Sequence, residues 1–159
     1  MYTKNKSGLT ECLQRTRSTV LNILVVVGIG IAVSGLLLRG RDRWMASQVP
    51  APVRRGLLGG LLAITLVSYS SRRVMSSRSA LADPAQRFPR FVRAHVLSAS
   101  IGALAIPLGL LYGWVVRPRL EDVAPFWVAG LALGLLAFPR AHELEGFDTP
   151  TLEPSEPRA

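Results

Sequence analysis

The sequence predicts an all-α polytopic membrane protein with four transmembrane helices in a small bundle, and two observations carry that prediction. Hydrophobic residues make up 49% of the chain, and its 19 basic and 10 acidic residues gather between long uncharged runs. The clearest run, TVLNILVVVGIGIAVSGLLL at residues 19–38, has no charge. A helix of that length measures about 30 Å, the thickness of the hydrocarbon core of a bilayer. Residues 19–38 are therefore predicted to span a membrane.

Three later apolar stretches resemble weaker versions of the first. The predicted spans cover residues 19–38, 54–71, 95–116 and 122–139. The second stretch is short for a span, and Pro107 in the third removes one backbone hydrogen bond and predicts a kink there.

The predicted spans divide the chain into three regions. Residues 1–18 form a basic cytoplasmic amino-terminal segment, and its last residue, Ser18, is expected to cap the first helix together with Thr19. Residues 19–140 form the four-helix transmembrane domain, and residues 141–159 form an acidic, extended carboxyl-terminal tail with little that can build a core.

Residues 71–95 are the longest polar stretch between predicted spans. They include six arginines and one acidic residue, with apolar and aromatic side chains interleaved. This composition is typical of an amphipathic segment lying in the membrane surface. We predict a short interfacial helix, a break at Pro84 and Pro89, and then entry into the third span. The side chains expected to contact anionic lipid headgroups are Arg72, Arg73, Arg87, Arg90 and Arg93.

The placement of the basic residues predicts the partners and the orientation. A net charge of +9 would suggest nucleic acid in a soluble protein, but here most cations stand beside apolar runs, which favours anionic lipid and excludes nucleic acid. Alternate sides of the predicted bundle hold 12 and 7 Lys and Arg residues, and the larger number includes both termini. Both termini are therefore predicted to face the cytoplasm, in a membrane that we expect to be a bacterial inner membrane.

Small residues recur four positions apart in all four spans. Such GxxxG-like spacing lets two helix backbones approach closely, which promotes helix association where water cannot. The residues predicted to pack helices together are Gly28, Gly30, Ser34, Gly56, Gly60, Ser98, Gly102, Gly109, Gly113, Gly130 and Gly134.

The interiors of the apolar runs contain no Lys, Arg, Asp, Glu or His, which counts against a pump or an ion-coupled carrier. His95 and His142 flank the last two spans on the same predicted side, where a haem, a pigment or a metal would find ligands, with Glu143 and Glu145 as further oxygen donors. No supporting motif accompanies these histidines, and no catalytic motif occurs. The sequence therefore predicts no enzyme, no cofactor and no metal.

The leading hypothesis from the sequence is a non-catalytic accessory or structural subunit that packs beside larger membrane-protein partners and anionic lipid. The first alternative is a small oligomeric transporter or channel component with a pore lined by Ser98, Ser100 and glycine backbone. The second alternative is a haem- or pigment-binding membrane subunit that uses His95 and His142.

Overall fold

The structure is a computed structural model and describes residues 2–39, 50–75, 77, 84–116, 119–140 and 143. Residues 2–9, 84, 85 and 87 are described by their backbone alone. The elements are α-helices, in agreement with the predicted fold class. They are α1 (Tyr2–Arg39), α2 (Ala51–Met75), α3 (Pro84–Ala103), α4 (Ala105–Val115) and α5 (Leu120–Leu136).

Three helical stretches are long and apolar enough to cross a membrane: Thr10–Arg39, Ala51–Met75 and Phe88–Val115. They overlap the first three predicted spans. The stretch corresponding to the fourth, α5, has 17 residues and is about 25 Å long, which is shorter than the hydrocarbon core. The structure thus supports three spans and leaves the fourth as a prediction.

Helix α1 begins far earlier than predicted, so the expected cap at Ser18 and Thr19 is wrong. The helix runs from Tyr2 without interruption, and the Thr19 hydroxyl donates to the carbonyl of Arg15 within the helix. Neither Pro nor Gly stands between Leu9 and Thr19 to end it. One face of α1 is buried at a spacing close to 3.5 residues, typical of a helix packed along its whole length. The buried residues on this face are Leu13, Thr16, Val20, Val27, Ser34 and Leu38.

The predicted break at Pro89 is also wrong. Pro89 lies inside α3, which begins at Pro84, and the next residues continue directly into the apolar stretch. The carbonyl that loses its hydrogen bond belongs to Ala85 in the first turn, so the proline costs one bond near the helix end and leaves the helix intact. Residues 76 and 78–83 of the predicted interfacial segment lie outside the described residues.

The third apolar stretch is interrupted near its middle, as Pro107 predicts. Leu104 separates α3 from α4, three residues before Pro107. Its amide donates to the carbonyl of Ile101 at 3.1 Å, a tighter turn than that of an α-helix. Because Pro107 has no amide hydrogen, it cannot bond to the carbonyl of Ala103, and the regular ladder is lost at this point.

The α3–α4 run and α5 form a close antiparallel pair in the centre of the bundle. A Cβ atom on Gly102 would lie 2.7 Å from Cβ of Leu133, and one on Gly109 would lie 2.7 Å from Cβ of Phe126. At the far end of the pair, a Cβ on Gly113 would lie 2.8 Å from Val123. Only glycine permits this backbone approach. Helices α1 and α2 pack against this pair and keep long apolar faces exposed.

Candidate functional site at the end of α5

The carboxyl-terminal end of α5 is the point where the other helices bring their polar side chains together. The last carbonyls of a helix lack partners within it and carry partial negative charge. Arg72 of α2 donates to the carbonyl of Leu136, and His95 Nδ1 of α3 donates to that of Ala137 at 2.7 Å. From α1, Arg17 Nε reaches the carbonyl of Pro139 at 3.4 Å. Basic groups of α1, α2 and α3 therefore bind the carboxyl-terminal end of α5. We call Arg17, Arg72, His95 and Glu143 the end cluster.

Glu143 ties two of these basic side chains to each other. Its Oε1 accepts a hydrogen bond from Arg72 Nη2 at 2.5 Å, and its Oε2 lies 3.0 Å from His95 Nε2. The second contact has the distance of a hydrogen bond but not its alignment, so we describe it as a close polar contact. The carboxylate thus bridges α2 and α3 just beyond the end of α5.

One contact of His95 defines where a ring hydrogen lies. A carbonyl oxygen can only accept, so Nδ1 carries a hydrogen that points to Ala137. The Nε2 atom then faces Oε2 of Glu143 at 3.0 Å, so the ring lies between Ala137 and Glu143.

The surroundings of Glu143 determine its acidity. Partial burial works to raise the pKa of this carboxyl, but the interaction with His95 and the positive charge of Arg72 outweigh it and hold the pKa below the ordinary value of 4.5. Glu143 is therefore ionised at neutral pH and serves as an anion for the two basic groups.

His95 lies in the interior of the bundle. Its side chain is fully buried and its ring lies 4.4 Å from the ring of Phe91. Both ring nitrogens face protein oxygen atoms, so an iron or another metal would have to displace Glu143 to reach Nε2. The geometry does not favour the cofactor role of His95, which was an alternative and not the leading prediction. His142 and Glu145 lie outside the described residues.

The arginines predicted to contact lipid headgroups divide into different environments. The guanidinium of Arg72 binds Glu143 and the carbonyl of Leu136 within the protein, and its contact with lipid headgroups stays a prediction. Arg73 and Arg93 are exposed, whereas Arg90 is half-buried and has a partner. The side chain of Arg87 lies outside the description.

The residues predicted to pack helices also differ in their contacts. Besides the three glycines of the central pair, Gly130 and Gly134 meet Ile106 and Leu24, where a Cβ would lie 2.9 Å and 2.6 Å away. A Cβ on Gly30 or Gly60 would have 3.2 Å or 3.4 Å to its nearest neighbour, and Ser34 is buried. By contrast, a Cβ on Gly28 or Gly56 would have no neighbour within 4 Å. These two glycines pack against nothing within the described part of the chain, because they face outward from α1 and α2.

Two buried hydroxyl groups join α2 to α3. Ser98 donates to the carbonyl of Ser68 at 3.0 Å, Ser68 donates to that of Ser98 at 2.9 Å, and the hydroxyl oxygens are 3.1 Å apart. The sequence predicts Ser98 as a packing residue or a pore-lining residue. In the structure its hydroxyl forms hydrogen bonds between α2 and α3. Ser100 is exposed and points elsewhere. The two serines therefore do not line one common path through this chain.

Sequence reasoning placed His95 and Glu143 near each other, missed Arg17 and Arg72 as members of the end cluster, and missed Ser68 as the partner of Ser98. A usable signal existed, since all of the end cluster falls on one predicted side of the membrane. What no pattern reveals is that backbone carbonyls of α5 are the acceptors. Among the described residues, no three His, Cys, Asp or Glu side chains are grouped closely enough to hold a metal ion.

Comparison with protein-family models, with curated proteins and with solved structures gives no match to this chain.

Proposed function

We propose that this protein is a non-catalytic integral membrane protein that packs as an accessory or structural subunit beside larger membrane-protein partners and anionic lipid. The observation that carries the proposal is the contrast between filled and open packing faces. Glycines on the α3–α4 run and on α5 are filled by the protein's own side chains, whereas Gly28 on α1 and Gly56 on α2 are open.

The surroundings of the open glycines suit a neighbouring helix. On α1, Val25, Ile29 and Leu36 are exposed around Gly28, and Ala32 is exposed one turn further along. On α2, Gly59 and Ala63 continue the open stripe that begins at Gly56. Small residues set among large apolar ones let a second helix approach closely in lipid, where packing drives association.

The end cluster supports a structural role rather than a chemical one. Arg72, His95 and Glu143 bind one another and the end of α5, so their polar groups are used in holding helices together. A catalytic group needs an open approach for substrate, and His95 has none, since its side chain is fully buried.

We further propose that α5 is a fourth span and that both termini lie on the cytoplasmic side of a bacterial inner membrane. Helix α5 runs beside the third apolar stretch from Val123, next to Gly113, to Leu133, next to Gly102, which supports placing it at the same depth. Reporter fusions at the two termini test this. A carboxyl-terminal reporter active only on the outer side, with a cytoplasmic amino terminus, contradicts it.

The test of the subunit role is isolation from the native membrane in a mild detergent followed by native electrophoresis. The wild-type protein should migrate in a complex, and Gly28→Leu with Gly56→Leu should release it as a smaller species. Ala132→Leu is the control, because it adds three carbon atoms to an exposed small residue of α5. Migration of the wild type only as a monomer overturns the proposal.

The two other hypotheses remain outcomes of further measurements. A transporter or channel would produce flux across liposomes above an empty control, although Ser98 is bonded to Ser68 and does not line an opening. A haem or pigment subunit would be coloured when purified and would lose its colour in His95→Ala.

A further inference from the structure

A groove of about 560 Å³ lies between the amino-terminal half of α1 and the beginning of α3. Its size falls within the range of small-molecule sites, about 300–1,000 Å³. It is lined by Glu11, Cys12, Arg15, Phe88, Pro89, Val92 and Arg93. The apolar side chains of α3 form one wall of the groove. Arg15 belongs to α1 and Arg93 belongs to α3.

The groove lies at corresponding ends of two helices that are long enough to span a membrane. Residues 11–15 come shortly before the uncharged run at residues 19–38, and residues 88–93 come just before the predicted span at residues 95–116, so the groove lies within about two turns of the start of each run. A residue at such a position lies near the headgroups, and an arginine there keeps its guanidinium in the polar layer while its stem follows the apolar surface.

Charge and polarity identify the chemistry of an occupant. Arg15 and Arg93 are exposed, and neither has an ion pair among the residues that the structure describes. Glu11 is the one acidic residue in the lining, which leaves one net positive charge. Phe88, Pro89 and Val92 offer a surface for a hydrocarbon chain. An anionic group joined to an acyl chain satisfies both parts of the groove.

We propose that this groove binds one anionic phospholipid, with the phosphate between Arg15 and Arg93 and an acyl chain along Phe88, Pro89 and Val92. The inference deepens the lipid contact in the proposed function and rests only on the part of it that places these helices in a bilayer. It assigns this lipid site to Arg15, which the sequence analysis did not single out, and to Arg93. Arg72 does not line the groove.

The test is a titration of the purified full-length protein with short-chain phosphatidylglycerol, phosphatidylcholine and inorganic phosphate, with bound molecules counted by native mass spectrometry. The wild type should bind phosphatidylglycerol in preference to the other two. An arginine near an anionic lipid contributes about a 5-fold gain in affinity, so Arg15→Gln with Arg93→Gln should weaken binding about 30-fold. Arg55→Gln with Arg140→Gln is the control, because it removes two exposed arginines outside the groove and should leave binding unchanged.

A second measurement uses the wild-type protein, so it does not depend on the folding of a variant. Cys12 lines the groove and is the single cysteine of the chain, so its reaction with a maleimide reports occupancy. Phosphatidylglycerol should slow that reaction, and phosphatidylcholine should not. Equal binding of both lipids, equal competition by phosphate alone, or an equal loss in the control variant overturns the proposal. These results concern the isolated protein, so they are independent of whether a partner complex is found.

Discussion

His95 Nδ1 of α3 binds the carbonyl oxygen of Ala137 at the end of α5 at 2.7 Å, which joins the third apolar stretch to the last helix through a fully buried side chain. The opposite ring nitrogen, Nε2, lies 3.0 Å from Oε2 of Glu143, and Oε1 of Glu143 accepts a hydrogen bond from Arg72. The end cluster should therefore respond as a unit when one member is changed.

Replacement of Glu143 by Gln should lower the free energy of unfolding by about 1–3 kcal/mol, because the largely buried Arg72 and His95 lose their ionised partner. The measurement is unfolding by a denaturing detergent, followed by circular dichroism. Glu121→Gln is the control, since Glu121 is an exposed carboxylate in the first turn of α5 and should change stability by less than about 0.5 kcal/mol. Equal losses in both variants would show that the cluster adds nothing specific.

The pH dependence of stability should follow the Glu143 carboxyl. Its pKa is lower in the folded protein than the ordinary 4.5, so the folded state favours the ionised form. The stabilisation is present in full above pH 4.5 and is lost as pH falls through the lower folded value. Unfolding midpoints measured between pH 7 and pH 3 should decline more steeply in the wild type than in Glu143→Gln. Parallel curves would contradict the depressed pKa.

Gly109→Ala should destabilise the bundle by about 1–3 kcal/mol, because a Cβ there would lie 2.7 Å from Phe126 and force the central pair apart. Gly56→Ala is a matched substitution on α2, where a Cβ meets nothing within 4 Å. The latter change should be neutral or stabilising by up to about 1 kcal/mol through helix propensity. Comparison of the two unfolding curves tests the packing directly, and a reversed order would refute the seam between the α3–α4 run and α5.

The Ser68 and Ser98 hydroxyls should be energetically coupled. A double-mutant cycle with Ser68→Ala and Ser98→Ala should give an interaction energy of about 0.6 kcal/mol and at most about 1.7 kcal/mol, the range found for hydrogen bonds between membrane helices. Ser70→Ala paired with Ser98→Ala serves as the control, because Ser70 is exposed on α2. Strict additivity of the first pair would mean that the two hydroxyls do not interact with each other.

Helix content and the apolar stretches could be predicted because they depend on local composition. Residues 19–38 have no charge, and in lipid their backbone groups must bond to one another, which a helix achieves without help from the rest of the chain. Helix ends were predicted less well. Ser18 and Thr19 resemble caps in the sequence, yet they lie within a continuous helix, where Leu13, Thr16 and Val20 are buried by packing against the other helices. Tertiary packing overrode a local preference there.

The sequence by itself determined the helical class, the three long apolar stretches and the interruption near Pro107, while its fourth span stays a prediction. The tertiary structure alone decided which glycines are filled and which are open, since identical spacing occurs on buried and exposed faces. It also decided that Arg72 binds Glu143 and the carbonyl of Leu136. The physical reason is that spacing depends on one helix, whereas a contact depends on the relative position of two, and the acceptors at the end of α5 are backbone carbonyls that every sequence has.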